Sequence, residues 1–355
     1  MNNPVIDKKI LFLCTFLGKT GGIPIFEEVL VKNAPKDNNY ILSNVKNDFK
    51  GKQFLLTGNI LKNLGLIKKI VRDNKIDLIF YNYHTFPLFL ISRTYTIRIF
   101  DMEFAGKKLS LNFIMTMLNS LFAKKILVSS NSTKIKLQAF FRKIGLGFIG
   151  KRISRLYLPL DPNFLELVKK YDLGKIKNFY QGKNFFLIVS SEYHDFLLSG
   201  VREINKRLGE DFKVVITGKI ADKEKKKINE KYGKMVIFAG FVSREELVSL
   251  YKTAQAVLYR HYNEGFGYIP LESLICKVPF ITNPDDSIPE ILGDAGVYYK
   301  DYSKYVKKVE EAIKNKERIM ERIQKRKAWA LIQFEPRKIV KEHIICLKNN
   351  QNPYK

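Results

Sequence analysis

Short apolar runs alternate with longer stretches of helical spacing along most of the chain, and this alternation limits the fold more than any other feature. Lys9–Cys14 reads as a first strand, Gly18–Gly22 as a loop and Ile25–Lys32 as a helix. The helical stretch Ile60–Asn74 leads into a buried strand at Asp77–Tyr81, with further strands at Thr96–Phe100 and Ile126–Ser129. Parallel strands can be joined only through a crossover, and a helix is the usual one. Repeated strand–helix units therefore predict parallel, doubly wound sheets. The first series closes at Leu156–Pro159, and residues 161–183 are turn-rich, charged and read as a linker. A second series starts at Phe185–Ser190 and continues through Lys213–Thr217, Val236–Ala239, Ala256–Tyr259 and Phe280–Thr282. The expected class is α/β, with one domain over 1–160 and a second over 184–330. Lys304–Lys327 reads as one heavily charged helix, and Trp329–Leu347 as further helix.

A length of 355 residues suffices for two such cores. No stretch is long and apolar enough to span a bilayer; the best candidate, 109–123, is broken by Asn112, Thr116, Asn119 and Ser120. Asp7, Lys8 and Lys9 at the start do not resemble a secretion signal. Cys14, Cys276 and Cys346 are odd in number and far apart, which fits neither a disulfide frame nor a zinc site and points to a reducing cytosol. The formal charge is +27, unevenly spread. From Phe104 to Leu160 there is no Asp or Glu, while Lys134, Lys136, Arg142, Lys143, Lys151 and Arg152 stand among Phe, Ile and Leu. Cations interleaved with apolar residues suit an anionic membrane surface, and these six are the candidate membrane contacts. Nucleic acid is the rival partner for such charge, but no nucleic-acid-binding module is visible. A third reading is a bias towards Lys, Asn and Ile with no partner behind it.

The most specific stretch is Glu264-Gly265-Phe266-Gly267-Tyr268-Ile269-Pro270-Leu271-Glu272. Two carboxylates flank a Gly-Phe-Gly turn and a proline, between a strand-like run at Ala256–Tyr259 and a helical run at Pro270–Cys276. Glycine allows close approach of the backbone to a ligand, and proline suits the first position of a helix. The expected result is a strand, a turn and a helix N-terminus whose N–H groups favour an anion, with Glu272 in the first helical turn.

This segment resembles the signature of the family 4 glycosyltransferases, retaining enzymes of the GT-B fold. Phe238–Ser243, Glu245-Glu246-Leu247, Val278–Ile281 and Pro289–Gly296 continue the likeness on either side. The resemblance implies two Rossmann-like doubly wound domains facing a central cleft, with a final helix at about 331–348 crossing back to the first domain. It also implies roles for particular residues. Glu264 would contact sugar hydroxyls, the backbone amides of Phe266 and Gly267 would bind sugar and diphosphate, and Glu272 would hold the ribose hydroxyls. Phe241 and Val242 would line the base pocket. Gly21 and Gly22, after the first strand, match the family's glycine loop. His84, after the strand Asp77–Tyr81, would hold the reacting sugar, and Asp101 would contact the acceptor. Each has a plainer reading: a turn for the glycines, a satisfied loop histidine for His84, a dipole-complementing charge for Glu272.

One stretch departs from the family pattern. After the strand Phe185–Ser190 the family places an arginine and then a lysine that neutralise the donor diphosphate. Here Ser191 or Glu192 stands in the arginine's place and Ser199 in the lysine's. Arg202, His194, Lys219 or Arg260 are the substitutes the chain offers. Lys277 also replaces the glycine usual before Val-Pro. The resulting expectation is a cytoplasmic retaining glycosyltransferase. It would take a nucleotide-sugar donor without a metal, and a glycan or lipid-linked acceptor at the inner face of a membrane. The alternative is a glycosyltransferase-like sugar- or nucleotide-binding protein with weakened or no turnover.

Overall fold

The structure is a computed structural model that describes residues 8–19, 22–92, 94–106, 110–174, 184–189 and 194–349. The chain divides into two compact units, one formed by 1–161 with 334–355 and the other by 162–333.

The first unit holds a parallel sheet of seven strands: β1 (Ile10–Cys14), β2 (Asn39–Ser43), β3 (Lys52–Leu55), β4 (Leu78–Tyr81), β5 (Tyr95–Ile99), β6 (Lys125–Val128) and β7 (Ile153–Arg155). Their order is β3-β2-β1-β4-β5-β6-β7, so the winding reverses between β1 and β4. β1 and β4 are buried throughout, as expected of central strands covered by helices on both faces. The sequence reading missed β2, β3 and β7. β3 is an exposed edge strand and β7 is three residues long and ends in arginine, so neither carries an apolar run. The closing helix Pro336–Lys348 packs on the Gly22–Asn33 helix, with the His343 ring 4.7 Å from that of Phe26. His343 Nδ1 donates to the Ile339 carbonyl at 2.7 Å, so its Nε2 accepts from the guanidinium of Arg98. Arg98 is fully buried; it also donates to the Leu156 carbonyl at 3.1 Å and lies over the rings of Phe26 and Phe100. Burial beside Arg98 drives the His343 pKa well down, which keeps the ring a neutral acceptor.

The second unit repeats the design with β8 (Phe185–Val189), β9 (Lys213–Thr217), β10 (Val236–Gly240), β11 (Val257–Leu258), β12 (Phe280–Thr282) and β13 (Val297–Tyr298), in the order β10-β9-β8-β11-β12-β13. Here the reversal falls between β8 and β11. Part of the stretch expected as a linker is folded: Pro162–Asp172 is a helix of this unit, with Phe164 edge-on to Tyr251 and Asp172 accepting from Lys252 at 2.5 Å. Apolar positions at helical spacing within a charged sequence carry this helix, and the charges had masked them. The charged stretch near 304–327 is two helices, Tyr302–Lys314 and Lys316–Gln333, broken at Asn315 where ψ turns to 36°.

Gly200, on the helix His194–Leu208, is a packing requirement. A Cβ there would lie 2.3 Å from the ring of Tyr305, which is fully buried and hydrogen-bonded to the Leu197 carbonyl at 2.9 Å. Gly200→Val is therefore expected to cost about 2–3 kcal/mol, read as a lowered urea midpoint. An unchanged midpoint would mean that the two helices separate freely.

Candidate functional site

In the second unit the acidic motif lies just beyond the C-terminal ends of β11 and β12, next to the β8/β11 reversal, where open α/β sheets place their ligands. Asn263 takes a left-handed φ of 66° and Gly267 a φ of 99°, and together they bend the chain into the helix Tyr268–Cys276. A side chain at Gly267 would be strained by that φ, and its Cβ would stand 3.3 Å from Pro270 Cγ. No side chain caps this helix start, and its first turn contains no acidic residue. Its amides and positive dipole end therefore suit an anion. The helix begins two residues earlier than expected, so Pro270 is its third residue and Glu272 belongs to the second turn.

Glu264 is half-buried and held on three sides. Its N–H donates to Asp286 Oδ2 at 2.9 Å, its carbonyl accepts from Ser287 Oγ at 2.9 Å, and its Oε2 accepts from Tyr259 Oη at 2.8 Å. The loop after β12 thus clamps the main chain while Tyr259 aims the carboxylate. Glu272 is only 7 % exposed, with Oε1 accepting from Arg244 at 2.9 Å and Oε2 from Tyr251 Oη at 3.1 Å. Burial and the Glu272 charge push the Tyr251 phenol well up, so it stays a donor. A carboxylate offers about four lone-pair sites, and these two donors orient Glu272.

Phe266 is buried against the ring of Tyr268, 5.0 Å away, which fixes the turn whose amides the sequence reading singled out. Phe241 is 85 % exposed. A bulge between Phe238 and Gly240, with Gly240 at φ 65°, ends β10 and turns Phe241 outward. Beside it, at the ends of β9 and β10, is a cavity of about 300 Å³ lined by Gly218, Lys219, Asp222, Lys225, Phe238 and Gly240.

Ser191 and Glu192 lie outside the described residues. Ser199 Oγ donates to the Phe196 carbonyl of its own helix at 2.9 Å. Of the four substitute cations, His194 is turned to Glu224, with Nδ1 2.8 Å from Oε1. Arg202 lies over the Tyr232 ring, and Lys219 lines the cavity beyond β9. Arg260 alone is on the loop of Glu264: its guanidinium lies 3.9 Å from the centre of the Phe196 ring, in the first turn after β8, and donates to Tyr262 Oη at 3.1 Å.

In the first unit, Gly21 lies outside the described residues and Gly22 opens the Gly22–Asn33 helix. His84 is 6 % exposed. The single hydroxyl proton of Thr116 goes to the Asn112 carbonyl at 2.6 Å, so the 2.6 Å contact between Thr116 Oγ1 and His84 is donated by Nδ1–H. Burial lowers the His84 pKa to about 4, so the ring is neutral and Nε2 is its acceptor. Asp101 Oδ1 accepts from the Glu103 N–H at 2.8 Å and starts the short helix Glu103–Gly106. Lys134 is half-buried, while Lys136, Arg142, Lys143 and Lys151 are exposed. Arg152 is committed elsewhere: its guanidinium donates to the Leu121 carbonyl from both Nη atoms at 3.1 Å, closing the C-terminal end of the helix Leu111–Phe122.

Sequence reasoning missed Arg244, Tyr251, Tyr259, Asp286 and Ser287 as partners of the two glutamates. The acidic pair Asp285-Asp286, which follows the β12 strand after two residues, was the available signal. Among the described residues, no three His, Cys, Asp or Glu are grouped to hold a metal ion.

Residues 172–329 match the family model of the glycosyl transferases group 1. Over 60 residues the chain is 40% identical to O-antigen chain mannosyltransferase B of Escherichia coli, a stretch covering 17% of this chain and 16% of that protein. The chain thus spans about a sixth of the length of that curated relative. The structure is similar to Anabaena HepE, solved with UDP and glucose, at TM-score 0.70 and 16% identity over 96% of this chain and 100% of that one. It is similar to WaaG, a glycosyltransferase involved in lipopolysaccharide biosynthesis, at TM-score 0.62 and 13% identity over 95% and 99%. The second unit therefore carries the signature of the group 1 glycosyl transferases, and the chain has the GT-B fold of two Rossmann-like units.

Proposed function

We propose that the protein is a retaining glycosyltransferase of the family 4 type. It would move a sugar from a nucleotide-diphosphate donor held by the second unit to a glycan or lipid-linked acceptor at an anionic membrane surface. The observation that carries this reading is the uncapped helix start at Gly267, with Glu264 aimed by Tyr259 before it and Glu272 aimed by Arg244 and Tyr251 behind it. The UDP and glucose of the HepE structure and the mannosyltransferase match support a nucleotide-sugar donor.

In the reaction, the bond between the anomeric carbon and the phosphate oxygen breaks with its electron pair on that oxygen. The acceptor hydroxyl oxygen bonds to the same face of the carbon, and its proton passes to the leaving phosphate. No protein nucleophile takes part. Glu264 holds sugar hydroxyls, Glu272 the ribose, and neutral His84 accepts a hydrogen bond from a sugar hydroxyl at Nε2. The negative charge growing on the diphosphate needs fixed donors, which the helix start and Arg260 supply.

UDP, GDP and ADP, with their parent nucleosides, would be titrated into the protein and followed by NMR. The wild type is expected to bind one diphosphate. Arg260→Gln is expected to weaken that diphosphate by about 10- to 100-fold and leave the nucleoside unchanged. A wild type that binds none of the three would overturn the donor reading. Equal diphosphate binding by both proteins would remove Arg260 alone from the site.

A further inference from the structure

The second unit holds a cavity of about 370 Å³ at the open edge of β13, the strand that ends the sheet opposite β10. None of its lining residues belongs to the acidic motif or holds it. Two helix faces and the strand edge enclose it. Lys308 and Glu311 lie one turn apart on the helix Tyr302–Lys314, and Asn315 follows at the break. Asn315, Arg318 and Arg322 continue at helical spacing along Lys316–Gln333, so one face of each helix is turned to the cavity. Gly296 and Tyr298 form the strand side. A Cβ on Gly296 would lie 2.4 Å from the Tyr298 ring, whose hydroxyl donates to the Gly293 carbonyl at 2.8 Å. Glycine at 296 lets that ring form the wall.

The charge in the cavity is unbalanced. Lys308 donates to Glu311 at 2.5 Å and compensates that carboxylate. Arg318 and Arg322 have no such partner. Among the described residues neither is in a hydrogen bond or an ion pair, and Arg322 Nε is buried from water. A buried N–H donor left unmet is costly, and proteins keep few of them. The next turn of the same helix shows the contrast. Arg326 donates to the Ile291 and Glu290 carbonyls at 2.8 and 2.5 Å, and Lys327 to the Ile275 carbonyl at 2.6 Å.

We propose that this cavity is a second anion site, which takes a small phosphate ester. Side chains four apart on a helix are neighbours, so the forks of Arg318 and Arg322 reach a common phosphate, and each guanidinium meets phosphate oxygens in pairs. A water takes ~30 Å³ of liquid, so a phosphate group alone fills a small part of the volume, whereas sites for small organic ligands begin near about 300 Å³. The Tyr298 ring and Ile319 give the ester's body an apolar wall, and Asn315 gives it a polar contact. This site uses residues other than those of the donor reading, and it stands or falls separately from it.

Melting curves and titration calorimetry of the full chain test this with ribose 5-phosphate, glycerol 3-phosphate, inorganic phosphate and ribose. At least one ester is expected to bind and to raise the melting temperature with concentration, inorganic phosphate to bind more weakly, and ribose not to bind. Arg318→Gln/Arg322→Gln is expected to weaken the ester by about 10- to 100-fold and to leave binding of UDP, GDP or ADP as in wild type. Without ligand this variant should melt no lower than wild type, since neither guanidinium has a partner to lose. Arg318→Gln alone, at an exposed position, should act in the same direction by about 10-fold. Arg260→Gln should keep the ester. A wild type that binds neither ester would overturn the proposal, as would equal ester binding by the double variant. Ester binding lost in Arg260→Gln but kept in the double variant would give the ester to the donor site and overturn it too. Inorganic phosphate bound as tightly as the esters would assign the cavity to free phosphate and remove the ester.

Discussion

Glu264→Ala is expected to slow glycosyl transfer by about 100- to 1000-fold while shifting the melting temperature little. The separation of the two effects follows from how the residue is held. The contacts that shape the loop come from its main chain, to Asp286 and Ser287, and these survive truncation. Only the Tyr259 hydroxyl loses a partner, and Glu264 is half-buried, so water can replace the carboxylate there. Glu264→Gln keeps an oxygen for Tyr259 but loses the charge, and should lie between the two. Rates with the donor found by titration, set beside thermal melts of each variant, give the answer. A melting temperature that falls in step with the rate would show that Glu264 serves the loop and not the sugar.

Glu27→Gln is expected to remove a stability difference of up to about 4 kcal/mol between pH 5 and pH 8. Glu27 is fully buried on the Gly22–Asn33 helix, and its Oε2 accepts from the Phe16 N–H at 2.8 Å. Burial raises its pKa from 4.5 to about 8, against the pull of the backbone N–H groups and Asn82 nearby. The folded chain therefore keeps this proton up to about pH 8, whereas the unfolded chain releases it near 4.5. Between those values the folded state binds more protons, so wild-type stability falls as pH rises, and the loss is complete above the folded value. The neighbouring Cys14 thiol and Tyr81 phenol are both pushed up by burial, Tyr81 to about 12, and neither ionises in this window. The glutamine amide keeps an acceptor for the Phe16 N–H and carries no charge to titrate. Urea midpoints of both proteins from pH 5 to 9 should diverge in favour of the variant as pH rises. A constant gap between them would mean that Glu27 is ionised in the fold.

The sequence by itself determined the α/β class, the central strands β1, β4, β8 and β9, and the position of the acidic motif beyond a sheet's strand ends. Those features are local: a run of apolar residues records burial on both faces, and glycines record a left-handed turn at the place where the turn occurs. Tertiary structure decided the rest. β3 and β7 are strands only because a neighbour pairs with them, so nothing apolar marks them. The partners of Glu264 and Glu272 come from other loops and helices, and no spacing along the chain could name them. Arg152 read as a surface cation because charge is visible in sequence, whereas the helix-end carbonyls it binds are not. The same blindness hid the helix Leu111–Phe122. Its pattern is that of any amphipathic helix, and only the hydrogen bonds that Thr116 accepts from, and Asn119 donates to, the loop after β4 settle that Thr116 and Asn119 face inward.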